Sequence, residues 1–296
     1  MASLMLSRRA LFGAAASLIA TSAQAGLTMT LEAQYDNRAM VPEHPEIIAR
    51  WRRDAAAFRQ QTPGEFDIAY GARSRNVYDI FPGERPGPMA VFIHGGYWRS
   101  FDNKVFSHSA AGLVGHGFTV ALPTYTLAPE ITVPEIIDEL RQFIVHLWHK
   151  HKRPLVMTGH SAGAHLAACM IATNWENFGL PPGVIHCGLA ISGLYDLRPI
   201  MATSVNADVH LDQAQCLVAS PLFWPLPRKV TCDIWVGGSE STEFIRQSRS
   251  LVVAWTGLGS ACEYVEVPGV SHFSVVDPMQ DPQSAMVRRI VQLATT

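Results

Sequence analysis

Short apolar runs recur along the chain, and each is followed by a longer stretch whose apolar residues are spaced for one face of a helix. Runs such as Met89-Ala90-Val91-Phe92-Ile93 and Pro154-Leu155-Val156-Met157-Thr158 carry no charge, the pattern of strands buried on both faces of a sheet. Strands are predicted near 89–93, 118–122, 154–158, 184–191, 231–236 and 262–267, alternating with helices near 104–116, 133–150, 162–174, 242–256 and 281–294. Ahead of them, residues 30–62 read as mainly helical, with Ile47, Ile48, Trp51 and Phe58 spaced to pack one face; Phe66 to Tyr70 and Asn76 to Phe81 begin the sheet. Alternation of this kind predicts an α/β fold, a mostly parallel central sheet with helices on both faces. The stretch 194–227 breaks the rhythm. It holds Pro199, Pro221, Pro225 and Pro227 with the aromatic Phe223 and Trp224, and reads either as a small cap over a cleft or as a long surface loop with helical turns.

Chemistry enters at Gly159-His160-Ser161-Ala162-Gly163, between the run ending at Thr158 and the small-residue stretch Ala164-His165-Leu166-Ala167-Ala168. A G-x-S-x-G sequence between a strand and a helix makes a sharp turn that presents the serine hydroxyl at its apex. Upstream, His94-Gly95-Gly96-Tyr97-Trp98 closes another buried strand, at the end of the sheet where open α/β proteins bind ligands. Attack by a serine on a carbonyl builds negative charge on the carbonyl oxygen, and preorganised backbone N–H groups stabilise it by roughly 3 kcal/mol each. The candidate donors are the amides of Gly96, Tyr97 and Ala162. Tyr97 and Trp98 either wall the cleft or pack the loop, and His94, Gly95 and Trp98 stand as candidate substrate-binding residues.

Such a serine needs a base, and the base an orienting carboxylate, in the chain order serine, acid, histidine. Well past Ser161 lie His186, inside an apolar run, His210, in a polar segment with no strand ahead of it, and His272, on a loop after the strand ending at Val267 and the turn Pro268-Gly269. His272 is the candidate base. Glu240 is the candidate acid, on the loop after the strand 232–236. Glu243 competes with it, although a carboxylate in the first turn of the following helix has an ordinary structural use. Asp196 and Asp233 are weaker alternatives.

Composition narrows the classes further. The 296 residues are 48% hydrophobic and 16% charged with a net charge of −2, a globular balance without the basic stripe that nucleic acid requires. The five cysteines show no paired spacing and suggest no disulfide framework; Cys169, Cys187 and Cys232 fall in apolar runs and read as buried small hydrophobes. No metal is expected, since His146, His149 and His151 read as a solvated helix end beside Lys150 and Lys152. The first 25 residues differ from the rest: Ser7-Arg8-Arg9, the apolar stretch Ala10 to Ala20, then Ala23-Gln24-Ala25. They have the form of a twin-arginine export signal cleaved after Ala25 and predict a periplasmic or secreted protein, with residues 26–296 as the folded domain. The alternative is a misassigned start, with Met29 or Met40 as the true beginning and a cytoplasmic protein. The segment is too short and too weakly apolar for a permanent membrane span.

The two glycine turns resemble the α/β-hydrolase fold, and the chain resembles in particular its kynurenine formamidase (arylformamidase) branch of serine hydrolases. The resemblance is carried by Ala33-Gln34-Tyr35-Asp36-Asn37-Arg38, by the two glycine-turn segments, and by Ser192-Gly193-Leu194-Tyr195-Asp196-Leu197, Ser220-Pro221-Leu222 and Glu243-Phe244 with Gln247-Ser248. Position by position, it puts the nucleophile on Ser161, the base on His272 and the acid on Glu240, where that branch usually has aspartate. Tyr125-Thr126-Leu127-Ala128-Pro129-Glu130 resembles a stretch of hormone-sensitive-lipase-like esterases, which leaves ester against formamide open. The expected protein is a cofactor-free serine hydrolase that cleaves a small carboxylic ester or N-formyl arylamide through an acyl-enzyme. A broad-range short-chain carboxylesterase would use the same residues. A non-catalytic hydrolase-fold binding protein is the alternative outside enzymes.

Overall fold

The computed structural model describes residues 29–227 and 230–296; the expected export segment, residues 1–25, lies outside them. Helices α1 (Leu31–Tyr35), α2 (Asn37–Met40) and α3 (His44–Gln61) precede strands β1 (Glu65–Ala69), β2 (Val77–Phe81) and β3 (Met89–Ile93). Then come α4 (Ala111–Gly115), β4 (Val120–Pro123), α5 (Val133–His151), β5 (Leu155–His160), α6 (Ala162–Ala172) and β6 (Ile185–Ile191). The chain continues through α7 (Asn206–Val209), α8 (Gln213–Ala219), β7 (Thr231–Gly237), α9 (Thr242–Gly257), β8 (Tyr264–Val267) and α10 (Ala285–Leu293).

The eight strands form one sheet in the order β1-β2-β4-β3-β5-β6-β7-β8. β2 runs antiparallel to β1 and β4, and the other neighbours are parallel. The central strands alternate between two cores because successive side chains point to opposite faces. Met89, Val91 and Ile93 join Met157, the apolar face of α5, α6, and Phe244, Leu251 and Trp255 of α9. Ala90 and Phe92 join Val156, Trp51 of α3, Leu113 of α4, and Met286, Val287 and Ile290 of α10. Every residue of α6 is buried, and its run of Ala and Gly is what lets a helix lie that close to the sheet. β3 sits between β4 and β5, so the connections leaving β3 and reaching β5 pass to opposite sides. The C-terminal ends of β3 and β5 therefore flank a topological switch point, where open sheets leave a crevice.

Two predicted helices are altered. The helix expected over 104–116 is two 3₁₀ turns, Asn103–Val105 and Ser107–Ala110, followed by the short α4. Gly112, Gly115 and Gly117 weaken helix propensity there, and a Cβ on Gly112 would stand 2.5 Å from the Met279 carbonyl oxygen, so close packing takes precedence over helix length. The last helix starts at Ala285 rather than 281, because Ser284 caps it by accepting from the Val287 N–H. The stretch 194–227 holds α7, α8 and the 3₁₀ turns Arg198–Ala202 and Pro221–Phe223. Leu194, Leu197, Ile200, Leu211 and Cys216 anchor it in the core.

Candidate active site

Ser161 stands between β5 and α6 with φ 59° and ψ −123°, a left-handed backbone that non-glycine residues adopt only when the surroundings impose it. The imposition is visible on both sides. The Ser161 N–H donates to the Ile191 carbonyl at 2.8 Å, and a Cβ on Gly163 would stand only 2.0 Å from the carbonyl oxygen of Ile93. Gly95, on the loop after β3, also comes too close for a side chain: a Cβ there would meet the His160 carbonyl oxygen at 2.8 Å and Ser161 Cβ at 3.0 Å. The two glycine turns predicted separately from sequence thus pack against one another at the switch point. Of the predicted amides, those of Gly96 and Tyr97 lie on one turn and that of Ala162 opens α6; within the described residues none of the three donates to a protein acceptor.

His272, on the loop after β8, brings its Nε2 to 3.0 Å from Ser161 Oγ and its Nδ1 to 2.6 Å from Glu240 Oε2. A carboxylate can only accept, so Nδ1 carries the proton and the Nε2 lone pair faces the serine hydroxyl. The ring is clamped between Phe244 and His160, with centroids 4.7 and 4.8 Å away. His160 itself donates from Nε2 to the His272 carbonyl at 2.8 Å; burial and the neighbouring His272 hold it well below the usual histidine range. Glu240 is buried, and its Oε1 accepts from the Gly237 N–H at 2.7 Å and from Ser192 Oγ at 2.5 Å.

The competing carboxylates are engaged elsewhere. Glu243 accepts from Tyr35 Oη at 2.8 Å and pairs with Arg246 at 2.7 Å; the Arg246 hydrogen bonds hold its carboxyl below the usual range. Asp196 pairs with Arg198, and Asp233 with Arg289. Of the other histidines, His186 lies within β6 and His210 caps α7. Among the described residues no group of His, Cys, Asp or Glu is arranged to hold a metal, and no helix is long and apolar enough to cross a membrane.

A cleft of about 250 Å³ opens over Ser161 and His272. One wall is aromatic, built from Trp51, Phe101, Phe106 and Phe273; Gly95, Gly96 and Tyr97 form the floor beside Ser161, and Arg38, Arg99 and Ser204 stand among the remaining lining residues. Of the three candidate substrate-binding residues, Gly95 lines this cleft, while His94 and Trp98 are wholly buried behind it. Positive φ at Tyr97 and Trp98, 49° and 56°, turns the indole inward, where Nε1 donates to His165 Nδ1 at 3.1 Å while His165 Nε2 donates to the Ala219 carbonyl at 2.6 Å. His94 stacks on Tyr125 with centroids 4.5 Å apart, and burial lowers its pKa to about 4, so it is a neutral core residue. Sequence reading missed Trp51 and Phe273 as cleft walls, and missed Asn37 and Tyr35, which fasten Tyr97. The Tyr97 hydroxyl donates to the Tyr35 carbonyl at 2.7 Å and accepts from Asn37 Nδ2 at 3.4 Å. The sequence signals for these were adjacency, Phe273 beside His272, the helical spacing that placed Trp51 on one packed face of its helix, and for Tyr35 and Asn37 their place in the stretch 33–38 that carries the family resemblance.

With this geometry in place, the chain can be set beside known proteins. The family model BD-FAE matches residues 77–180. The kynurenine formamidase of Danio rerio is 28% identical over 245 residues, which cover 79% of this chain and 83% of the relative. A crystal structure of a provisionally assigned thioesterase from Silicibacter sp. tm1040 superposes with a TM-score of 0.80 at 34% identity, over 89% of this chain and all of that one. An esterase of the bacterial hormone-sensitive lipase family, 20% identical over 86% of this chain and 98% of its own, shares the fold with a TM-score of 0.63.

Proposed function

We propose that this chain, which belongs to the α/β-hydrolases and within them to the formamidase- and esterase-like proteins, hydrolyses small carboxylic esters or N-formyl arylamides by a serine mechanism. The observation that carries the reading is the continuous chain from Ser161 Oγ to His272 Nε2 at 3.0 Å and from His272 Nδ1 to Glu240 at 2.6 Å, in the cleft and beside amides with no acceptor among the described residues. In the proposed mechanism Ser161 attacks the carbonyl carbon while its proton passes to His272 Nε2, and Glu240 holds the imidazole in the accepting tautomer and balances the imidazolium charge. The oxyanion takes hydrogen bonds from the amides of Gly96, Tyr97 and Ala162. The imidazolium then protonates the leaving alcohol or amine, and water activated by His272 releases the acyl or formyl group from Ser161.

Ester and formamide proceed through the same kind of tetrahedral intermediate, so the triad serves both. A cleft of about 250 Å³ with an aromatic wall lies below the usual range for drug-sized ligands and favours a short acyl group with one flat ring. The reading is tested by labelling the folded protein with a fluorophosphonate probe and by comparing kcat/KM for N-formylkynurenine and a short-chain p-nitrophenyl ester. Labelling confined to Ser161, with turnover of either substrate abolished by Ser161→Ala, is the expected result. Absence of labelling in folded protein would return the chain to the non-catalytic binding proteins of this fold.

A further inference from the structure

Ser192 directly follows β6, the strand between β5, which leads to Ser161, and β7, which leads to Glu240. It is fully buried, and its φ of 54° puts it in the left-handed region. Three hydrogen bonds meet at this point. The carbonyl of the preceding residue, Ile191, accepts from the Ser161 N–H at 2.8 Å; the Ser192 N–H donates to the Trp235 carbonyl at 2.7 Å; and its hydroxyl donates to Glu240 Oε1 at 2.5 Å. Glycine would take this φ with no Cβ penalty. The hydroxyl is what serine adds.

We infer that Ser192 is a positioning residue for the triad acid, holding one oxygen of Glu240 so that the other is presented to His272; the inference rests on the proposed role of Glu240. The two carboxylate oxygens are divided between tasks. Oε1 is anchored by Ser192 and by the Gly237 N–H at 2.7 Å, and Oε2 alone faces His272 Nδ1 at 2.6 Å. A glutamate arm has one more rotatable bond than an aspartate arm, and each free rotor spreads the carboxylate over positions that do not meet the imidazole. The Glu240 N–H also bonds back to the Gly237 carbonyl at 3.1 Å, so the loop curls over itself and the longer arm folds back toward Gly237. Ser192 fixes the end of that arm from the neighbouring strand.

The test is a set of variants assayed with p-nitrophenyl acetate and with the fluorophosphonate probe: Ser192→Gly, Ser192→Ala, Glu240→Ala, and each Ser192 change combined with Glu240→Ala. Ser192→Gly keeps the backbone at ease while deleting the hydroxyl, and Ser192→Ala decides the matter if the glycine variant fails to fold. The expected result is a kcat lowered about tenfold with KM within about twofold in both single variants, and no further loss when either is added to Glu240→Ala. A folded Ser192→Gly protein with wild-type kcat would reduce Ser192 to a turn residue, and an equal loss in the Glu240→Ala background would mean that it acts on something other than Glu240. Failure of the wild-type protein to label at Ser161 would instead overturn the serine mechanism on which the inference stands. Labelling in the wild type therefore separates the two failures.

Discussion

Glu240 and Glu243 lie three residues apart in the chain, yet their carboxylates serve different neighbours. Glu240 points into the protein and meets His272, Ser192 and Gly237, whereas Glu243 opens α9 and meets Tyr35 and Arg246. Glu240→Gln removes the charge that balances the imidazolium and permits the wrong tautomer, and kcat/KM is expected to fall by about 10³-fold or more. Glu243→Gln loses a pair whose arginine is 45% exposed, an interaction worth little, and keeps an acceptor for Tyr35; its kcat should stay within about threefold of wild type. Steady-state kinetics of the two variants on one substrate decide the assignment, and loss of turnover in Glu243→Gln alone would reverse it. The same pair shows what a sequence can carry. Ser161 and His272, which the structure brings within 3.0 Å of one another, could be picked out as candidates because a G-x-S-x-G turn has a local signature and a candidate base follows a strand at a fixed place in chain order. The choice between 240 and 243 depends on which side chain turns toward the His272 loop, and Ser192 acts on a residue 48 positions away; neither leaves a local pattern.

At the scale of elements, the Gly95-Gly96-Tyr97 turn after β3 is fastened from three sides. Gly95 abuts the Ser161 turn, Trp98 is pinned to His165 on α6, and the Tyr97 hydroxyl is tied to the last residue of α1 and the first of α2. That last tie continues through the hydroxyl of Tyr35 to Glu243 and Gln247 of α9, linking the turn to the helix that follows Glu240. Tyr97→Phe removes both hydrogen bonds to the amino-terminal segment while keeping the ring. Its kcat should fall about fivefold with a smaller change in KM, and its urea midpoint by the equivalent of about 1 kcal/mol. A stable Tyr97→Phe protein with wild-type kcat would mean that Gly95 and Trp98 set the amide positions without Tyr97. The strands were readable to within a few residues because unbroken apolar runs admit few alternatives at that length. The inward turn of Trp98 was not, since an aromatic residue after a glycine pair reads the same whether it walls a cleft or fills a core. Only the positive φ at two successive residues decides that.

Over the whole molecule, four buried histidines share one electrostatic condition. Burial lowers the pKa of His94, His108 and His165 to about 4, and holds His160 well below its ordinary 6.5 with the neighbouring His272 adding to the effect. In the unfolded chain these rings protonate near pH 6.5, whereas in the folded protein His94, His108 and His165 stay neutral until about pH 4 and His160 stays neutral well below its ordinary range. Between those values the unfolded state binds more protons, so stability is fully present above pH 6.5 and is lost as pH falls through that window. Each ring with a folded value near 4 contributes a loss of roughly 1–2 kcal/mol by pH 5. Asp79, whose carboxyl is raised by burial, works in the opposite sense but is one group against four. The urea midpoint should therefore hold between pH 8 and pH 7 and drop steeply between pH 6 and pH 5, well above the range in which the carboxylates paired with Arg198 and Arg246 begin to protonate. His165→Gln tests the origin of the slope, because its glutamine side chain takes up no proton in either state. The variant is less stable at pH 7.5 through its disturbed bonds to Trp98 and Ala219, but its stability should fall with pH more gently, by up to about 1.4 kcal/mol per pH unit. Parallel pH profiles for the variant and the wild type would place the acid sensitivity outside the buried histidines.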